Sequence, residues 1–247
     1  MGLSALERFL WAASAVLAAA IIWRIIQQKL WKSPFRAFGL MLGVVLARDV
    51  IVSIPPYDTP AYTLAWAWTL PILLAAQVWA GLDTLRAVAR LYPKIGNFAV
   101  RLFLACLAIT IFVCCVGLPF ELDRLGREEA ALRSLFLLHR WADSCIAGTL
   151  ILVAVFFARF PAPLKQPPRN LVMHTMLLSA YFSGYAVLFF AENLASLGAI
   201  RVVEHLQFAL VVVLYALWTM GLSKRGETSQ PWPEIDVMVL RTLPHDR

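Results

Sequence analysis

Seven long apolar stretches, separated by short polar connections, are the feature that most constrains what this chain can fold into. A helix of about 20 residues crosses the hydrocarbon core of a bilayer, and each stretch is close to that length or longer. Barrel strands are shorter and alternate in polarity, so helices are the predicted state. The predicted spans are 6–29, 35–54, 61–90, 96–118, 131–159, 170–192 and 198–222.

The composition supports an all-α membrane bundle. Of 247 residues, 61% are hydrophobic and only 15% are charged, whereas about a quarter of a soluble domain is charged. So few charges cannot cover a water-facing surface, so most of the exterior faces lipid. We therefore predict one seven-helix transmembrane domain over 1–222 and a cytoplasmic tail over 223–247 that is too short for an output domain.

The distribution of charge predicts the orientation of the bundle. Connections after helices 1, 3 and 5, with their flanks, hold eleven Lys or Arg and one acidic residue, whereas those after helices 2, 4 and 6 hold six basic and nine acidic residues. Cytoplasmic loops are enriched in Lys and Arg, so the first set is predicted to be cytoplasmic and the N-terminus external. The first set comprises 24–36, 83–101 and 159–169, and the second 48–62, 121–143 and 192–204. Because topology explains the net charge of +7, no nucleic-acid partner is predicted.

Prolines mark the predicted helix boundaries, because proline cannot continue the amide ladder of a helix. Pro34 is expected to open helix 2, and the Pro55-Pro56 pair to end it. Pro93 is expected to end helix 3, and Pro119 to end helix 4. Gly39 and Gly43 form a GxxxG pattern on helix 2, which is typical of a helix-packing surface.

Ionisable side chains inside the spans carry the functional hypothesis, because such groups are costly in lipid unless they are paired or hydrated. They concentrate in the outer third of helices 2, 5, 6 and 7. Spacings of three and four residues, as from Arg140 and His139 to Asp143, place several of them on one helix face. We predict that they line an outward-facing pocket for a small polar ligand. The candidates are Arg48, Asp49, His139, Arg140, Asp143, Glu192, Asn193, Arg201, Glu204 and His205.

The competing interpretation is structural, since ion pairs near span ends also ease insertion and fix helix rotation. Aromatic residues at the start of helix 3, among them Tyr62, Trp66 and Trp68, either wall the pocket or belong to the interfacial belt. No metal or cofactor is predicted. The sequence has no HExxH motif, and the adjacent Glu204 and His205 point to different helix faces.

Two residue types in the spans have structural explanations. His174, near the inner end of helix 6, is expected to lie at the membrane interface. The four cysteines fall inside predicted spans and are expected to act as small apolar packing residues.

Seven helices with an external N-terminus is the topology of microbial rhodopsins and G-protein-coupled receptors. Helix 7 has no lysine for a retinal Schiff base, since Lys224 follows its inner end, and no motif of the coupled receptors is present. The stretch from Arg133 to Arg225, with Arg140 on helix 5 and Leu214–Trp218 closing helix 7, resembles uncharacterised bacterial seven-helix membrane proteins. That resemblance covers the last three helices and implies no function.

These features favour a receptor-like or sensor subunit of the bacterial inner membrane. Its predicted partners are the lipid bilayer, a small polar ligand from outside, and a cytoplasmic protein reached through the loops or tail. Two alternatives stay open. A small-solute transporter would need a polar path to the inner side, and an intramembrane enzyme acting on a lipid-linked substrate would use histidine and carboxylate as acid and base.

Overall fold

The computed structural model describes residues 5–56, 59–125, 127–159, 167–194 and 197–227, and within these ranges the chain is helical with no strand. Seven helices follow one another along the chain, and a single 3-10 turn follows at Lys224–Glu227. The predicted tail therefore lies almost entirely outside the described residues. The helices are α1 (Ala5–Gln27), α2 (Phe35–Ser53), α3 (Pro60–Leu91), α4 (Pro93–Leu125), α5 (Arg127–Arg159), α6 (Arg169–Leu194) and α7 (Leu197–Gly221).

Six of the seven helices are long and apolar enough to cross a membrane, which makes this a multi-pass membrane protein. The exception is α2, which has 19 residues and carries Arg36, Arg48 and Asp49. At 1.5 Å per residue it is roughly 28 Å long, about the thickness of the hydrocarbon core. Charge rather than length therefore sets α2 apart from its neighbours.

Proline and threonine set most helix boundaries as predicted. Pro34 is the residue before α2, and α2 ends at Ser53, before the Pro55-Pro56 pair. The Thr59 hydroxyl accepts a hydrogen bond from the Tyr62 amide and caps the start of α3. Such a cap satisfies one of the free amides that every helix start leaves.

The expectation that Pro119 ends helix 4 is wrong, because α4 continues through this residue to Leu125. A proline inside a helix removes one amide hydrogen bond, and its ring crowds the preceding turn. In an apolar setting the remaining backbone groups have no better partners than the helix itself, so the helix continues.

The seven described helices form a closed ring in sequence order, and α3 makes the contacts across it. Each helix packs against its neighbours in sequence, α7 returns to pack on α1, and α3 also contacts α5 and α6. The basic end of the bundle is defined here as the end where α1, α3, α5 and α7 finish. At that end the Arg24 guanidinium donates a hydrogen bond of 2.6 Å to the Leu222 carbonyl, which ties α1 to α7.

Helices α3 and α4 are closely packed at Gly96. Only Tyr92 separates the two helices, and a Cβ on Gly96 would lie 2.2 Å from the Ala89 Cα. No side chain fits there unless the two backbones move apart. At Gly39 a Cβ would lie 2.8 Å from the Trp31 ring of the connection before α2 and 3.7 Å from Ile25 of α1. The GxxxG prediction is wrong at Gly43, which has nothing within 4 Å.

Candidate functional site

Buried polar side chains from four helices meet in the half of the bundle away from the basic end. We define the Asp143 cluster as Arg48 of α2, Gln77 of α3, His139 and Asp143 of α5, and Tyr185 of α6. Gln77, His139 and Asp143 are each less than one-tenth exposed. Three sequence-predicted candidates, Arg48, His139 and Asp143, are therefore found in one place.

Asp143 is the most deeply buried acidic group among the described residues. Its side chain is 1% exposed, and its Oδ1 has no hydrogen-bond partner. Its Oδ2 lies 3.7 Å from the Nδ1 of His139, beyond hydrogen-bond length. Buried polar atoms in folded proteins nearly always have partners, so this carboxyl stands out among the described side chains.

His139 connects Asp143 to α3. Its Nε2 lies 3.1 Å from the Gln77 Oε1, which can only accept, so Nε2 carries the proton. The second ring nitrogen then faces the Asp143 carboxyl at 3.7 Å. Two acceptors that face each other require a proton on one of them or a donor between them. His139 and Asp143 together can therefore hold a proton or bind a hydrogen-bond donor.

Arg48 places a cation in the same interior. Its guanidinium lies 5.1 Å from the centre of the Trp66 ring, within cation–π range, and it interacts electrostatically with Tyr185 and His139. Its buried Nε has no hydrogen-bond partner. Trp66 in turn stacks on Phe136 at 4.4 Å between ring centres. The cluster thus presents an unsatisfied donor beside aromatic walls.

Aromatic residues at the start of α3 divide between wall and exterior. Trp66 faces the interior, whereas Trp68 is 72% exposed and lies on the outer surface of the bundle. This alternation follows from the 100° turn between successive helix positions.

Three tyrosines form the floor of the Asp143 cluster. We call Tyr181, Tyr185 and Tyr215 the tyrosine trio. The Tyr181 side chain interacts electrostatically with the side chains of Tyr185 and Tyr215. The Tyr181 and Tyr215 rings are parallel within 7° at 6.3 Å, and the Asp143 carboxyl interacts electrostatically with Tyr181 and Tyr185. The trio joins α6 to α7 within electrostatic range of the carboxyl.

A second buried histidine lies toward the basic end. The expectation that His174 is interfacial is wrong, because its side chain is 0% exposed. Its ring packs against Phe35 at 5.2 Å and Phe38 at 4.8 Å between ring centres. Side chains of α2 and α7 therefore bury His174, although its position in the sequence is near the end of a predicted span.

We define the His174 cluster as Thr84, His174 and Trp218, and its hydrogen bonds form a complete chain. The Trp218 indole donates to His174 Nδ1 at 3.2 Å, so Nδ1 is the acceptor and Nε2 carries the proton. Nε2 lies 3.2 Å from the Thr84 hydroxyl, which donates to the Ala80 carbonyl at 2.8 Å. Each nitrogen of a neutral imidazole is thereby satisfied within the protein.

Other candidates lie away from the Asp143 cluster. The Arg140 guanidinium donates to the Phe189 carbonyl at 3.0 Å and joins α5 to α6. His205 lies 3.4 Å from the Glu7 carboxylate of α1, and Glu204 precedes it on the same turn. Asp49 is the exception, because its carboxyl interacts electrostatically with Arg48, Tyr185 and Tyr215 and so lies beside the cluster, with the indole of Trp11 of α1 also near it. The remaining candidates have side chains outside the described residues; they are Glu192, Asn193 and Arg201.

The two histidines of the outer half, His139 and His205, contact different partners, so they do not form a shared metal site. His139 faces Gln77 and Asp143, whereas His205 pairs with α1. Within the part of the chain that the structure describes, no three side chains of His, Cys, Asp or Glu come together as a metal ion would need.

Sequence reasoning missed part of the cluster. Gln77 and the tyrosine trio were not among the candidates. Gln77 is an amide within a 32-residue apolar helix, and such an amide signals a buried partner. Tyr181 and Tyr215 give no comparable signal, because tyrosine is common in membrane helices whether it faces lipid, packing or a pocket.

In comparisons with known proteins, no protein-family model, curated protein or solved structure matches the chain.

Proposed function

We propose that this protein is a receptor-like subunit that binds a small polar ligand in the Asp143 cluster. The observation that carries this proposal is the pair of unsatisfied buried atoms, the Arg48 Nε and the Asp143 Oδ1. A buried, unpartnered polar atom costs about 1–3 kcal/mol, and more when the group is charged. Two of them in one cluster favour a site that is completed by a bound molecule.

The two atoms also define the chemistry of the ligand. Arg48 offers an unpartnered Nε donor and a positive charge that Asp49 offsets in part, so it favours a carboxylate or another anionic acceptor. Asp143 offers an acceptor next to His139, so it favours an ammonium group or a hydroxyl. A small zwitterion, such as a free amino acid, satisfies both groups at once. Trp66 and Tyr185 would contact its apolar part.

A continuous set of contacts supports a route from the ligand to the basic end. Tyr185 adjoins the Asp143 carboxyl, and the tyrosine trio reaches Tyr215. The Tyr215 ring lies 6.2 Å from Trp218, whose indole binds His174. A ligand that reorders the trio would change the packing of α6 against α7, and a cytoplasmic partner would detect this through the loops or the tail.

We further propose a seven-span topology in a bacterial inner membrane, with the N-terminus outside and the basic end in the cytoplasm. The support is the concentration of Lys and Arg at the connections after helices 1, 3 and 5. Green fluorescent protein fused after Arg247 should fluoresce, and alkaline phosphatase fused at the same position should be inactive. The reverse pattern would overturn the orientation, and with it the outward opening of the site.

A thermal-shift screen tests the ligand proposal. Purified protein in dodecyl maltoside is heated with each of the twenty amino acids, with acetate and with methylamine. We expect at least one zwitterion to raise the melting temperature by several degrees, because ligand at a hundred times its Kd stabilises by about 2.7 kcal/mol. Acetate and methylamine, which satisfy only one of the two groups, should give smaller shifts.

Variants test whether the change in melting temperature comes from ligand bound in the Asp143 cluster. Arg48→Gln and Asp143→Asn should abolish it, and Glu204→Gln, which removes a charge on α7 away from the cluster, should retain it. If none of these probes shifts the wild-type melting temperature, or if Asp143→Asn responds like the wild type, the zwitterion proposal fails.

An intramembrane enzyme is the second candidate, and one observation favours it. His139 and Asp143 face each other at 3.7 Å, and a histidine beside a carboxyl can move protons. An enzyme would consume its ligand, whereas a receptor returns it unchanged. Mass spectrometry of the compound recovered after incubation therefore separates the two functions.

A further inference from the structure

A cavity of about 540 Å³ opens at the basic end, between the end of α3 and the start of α4. This volume falls within the range of small-ligand pockets, roughly 300–1,000 Å³. It lies at the opposite end of the bundle from the Asp143 cluster, so it is a separate site. The cavity is lined by Ser33, Asp83, Arg86, Ala89, Arg90, Asn97 and Val100.

Two arginines give this cavity its positive charge. Arg86 and Arg90 lie four residues apart on α3, so both project from one helix face. The Arg90 guanidinium donates a hydrogen bond to the Ser33 hydroxyl. Among the described residues, no hydrogen bond or ion pair engages the Arg86 side chain. Its guanidinium is therefore free to bind a ligand in the cavity.

Asp83 does not cancel the two cations. The Ser33 hydroxyl donates to its carboxylate at 2.7 Å and lies between that carboxylate and Arg90. The cavity keeps a net positive charge, with an acceptor on one side and the Asn97 amide on another. A group with an anionic centre and a nearby hydroxyl or ammonium fits this arrangement.

The position of the cavity indicates which molecule would supply this anionic group. Helix α3 ends at Leu91, one residue before Tyr92, so the last turns of α3 lie where a membrane helix meets the headgroup layer. Basic pockets between membrane helices on the cytoplasmic side bind anionic headgroups. We infer that this cavity binds the phosphate of a phospholipid headgroup through Arg86 and Arg90, with Asp83 accepting from the headgroup alcohol or amine.

A lipid titration tests this inference. Delipidated protein in dodecyl maltoside is titrated with dihexanoyl phosphatidylglycerol, and the melting temperature is followed against lipid concentration. Arg86→Gln and Arg90→Gln should each weaken the response about tenfold, the effect of losing one charge-assisted hydrogen bond. Arg36→Gln removes an exposed arginine at the same end but outside the cavity, and it should respond like the wild type.

One further arm distinguishes the two sources of phosphate. Inorganic phosphate at the same concentration should give no shift, because it lacks the acyl chains that hold the headgroup at this depth. If inorganic phosphate matches the lipid, the site binds soluble phosphates and the lipid assignment is overturned. If Arg86→Gln, with an unchanged melting temperature before lipid is added, responds like the wild type, the cavity does not bind the headgroup.

Discussion

The two buried histidines of this protein occupy contrasting surroundings. His174, toward the basic end, accepts from Trp218, faces the Thr84 hydroxyl and packs between aromatic rings. His139, in the other half, has one close partner in Gln77 and faces Asp143 at a distance too long for a hydrogen bond. The first cluster is closed by the protein itself. The second leaves polar atoms of Asp143 and Arg48 unpartnered.

The contrast separates a buried histidine whose partners the protein supplies in full from one whose polar neighbours are left without partners. A satisfied buried network rigidifies a core, and a partly satisfied one is costly unless something else completes it.

The largest expected effect comes from opening the closed cluster. His174→Ala should lower the free energy of unfolding by about 3–4 kcal/mol, because it leaves a cavity and deprives Trp218 and Thr84 of their partner. His139→Ala should cost less, about 2–3 kcal/mol, because it also leaves a cavity but deprives only Gln77 of its partner. SDS titration in mixed micelles measures both. Equal losses of unfolding free energy in the two variants would contradict the proposed difference between His174 and His139.

The tight packing near the basic end gives the next largest effect. Gly96→Ala should destabilise by about 2–3 kcal/mol, because the added Cβ would overlap the backbone at Ala89. Gly117→Ala, on the same helix with nothing within 4 Å, should change the stability by less than about 1 kcal/mol. The melting temperatures of the two variants provide the comparison. A well-tolerated Gly96→Ala would mean that α3 and α4 are more loosely packed than described.

Removing one hydrogen-bond partner should have a smaller effect. Thr84→Val keeps the shape of the side chain but leaves the His174 Nε2 proton without an acceptor, at a cost of about 1–2 kcal/mol. In a double-mutant cycle with Trp218→Phe, the two losses should be coupled, since both act through one imidazole. Strict additivity would show that His174 does not connect the two residues.

The smallest effect should have the opposite sign. Asp143→Asn replaces a buried, unpartnered carboxyl with a neutral amide of the same shape, so it should raise the unfolding free energy by up to about 1 kcal/mol. The same thermal unfolding assay records it. A loss as large as that of Thr84→Val would mean that the Asp143 carboxyl stabilises the fold in the absence of ligand.

Helix positions could be predicted from the sequence because hydropathy and proline act locally. The predicted ranges agree with the seven helices to within a few residues at most ends, and the main error, at Pro119, arose from treating proline as a stop inside an apolar run. The span count is harder to predict, since α2 combines a short length with three charges.

The candidate site was only partly predictable. Arg48, His139 and Asp143 stand out because charges are rare in spans, and the structure brings them together. Helix spacing cannot reveal which helix a side chain faces, so His205 was grouped with them although it pairs with Glu7 on α1. His174 shows the same limit, because its burial depends on Phe38 and Trp218, which are distant in sequence.

Accessibility to a membrane-impermeant thiol reagent tests most directly whether one cluster is open and the other closed. In a cysteine-free background, His139→Cys and Thr84→Cys are treated with a sulfonated methanethiosulfonate, applied to the outer face of intact spheroplasts and then to inverted vesicles. We predict that His139→Cys reacts from the outer face only and that Thr84→Cys reacts from neither side. Protection of His139→Cys on both faces, or equal reactivity at the two positions, would contradict an outward-open binding site above a closed core.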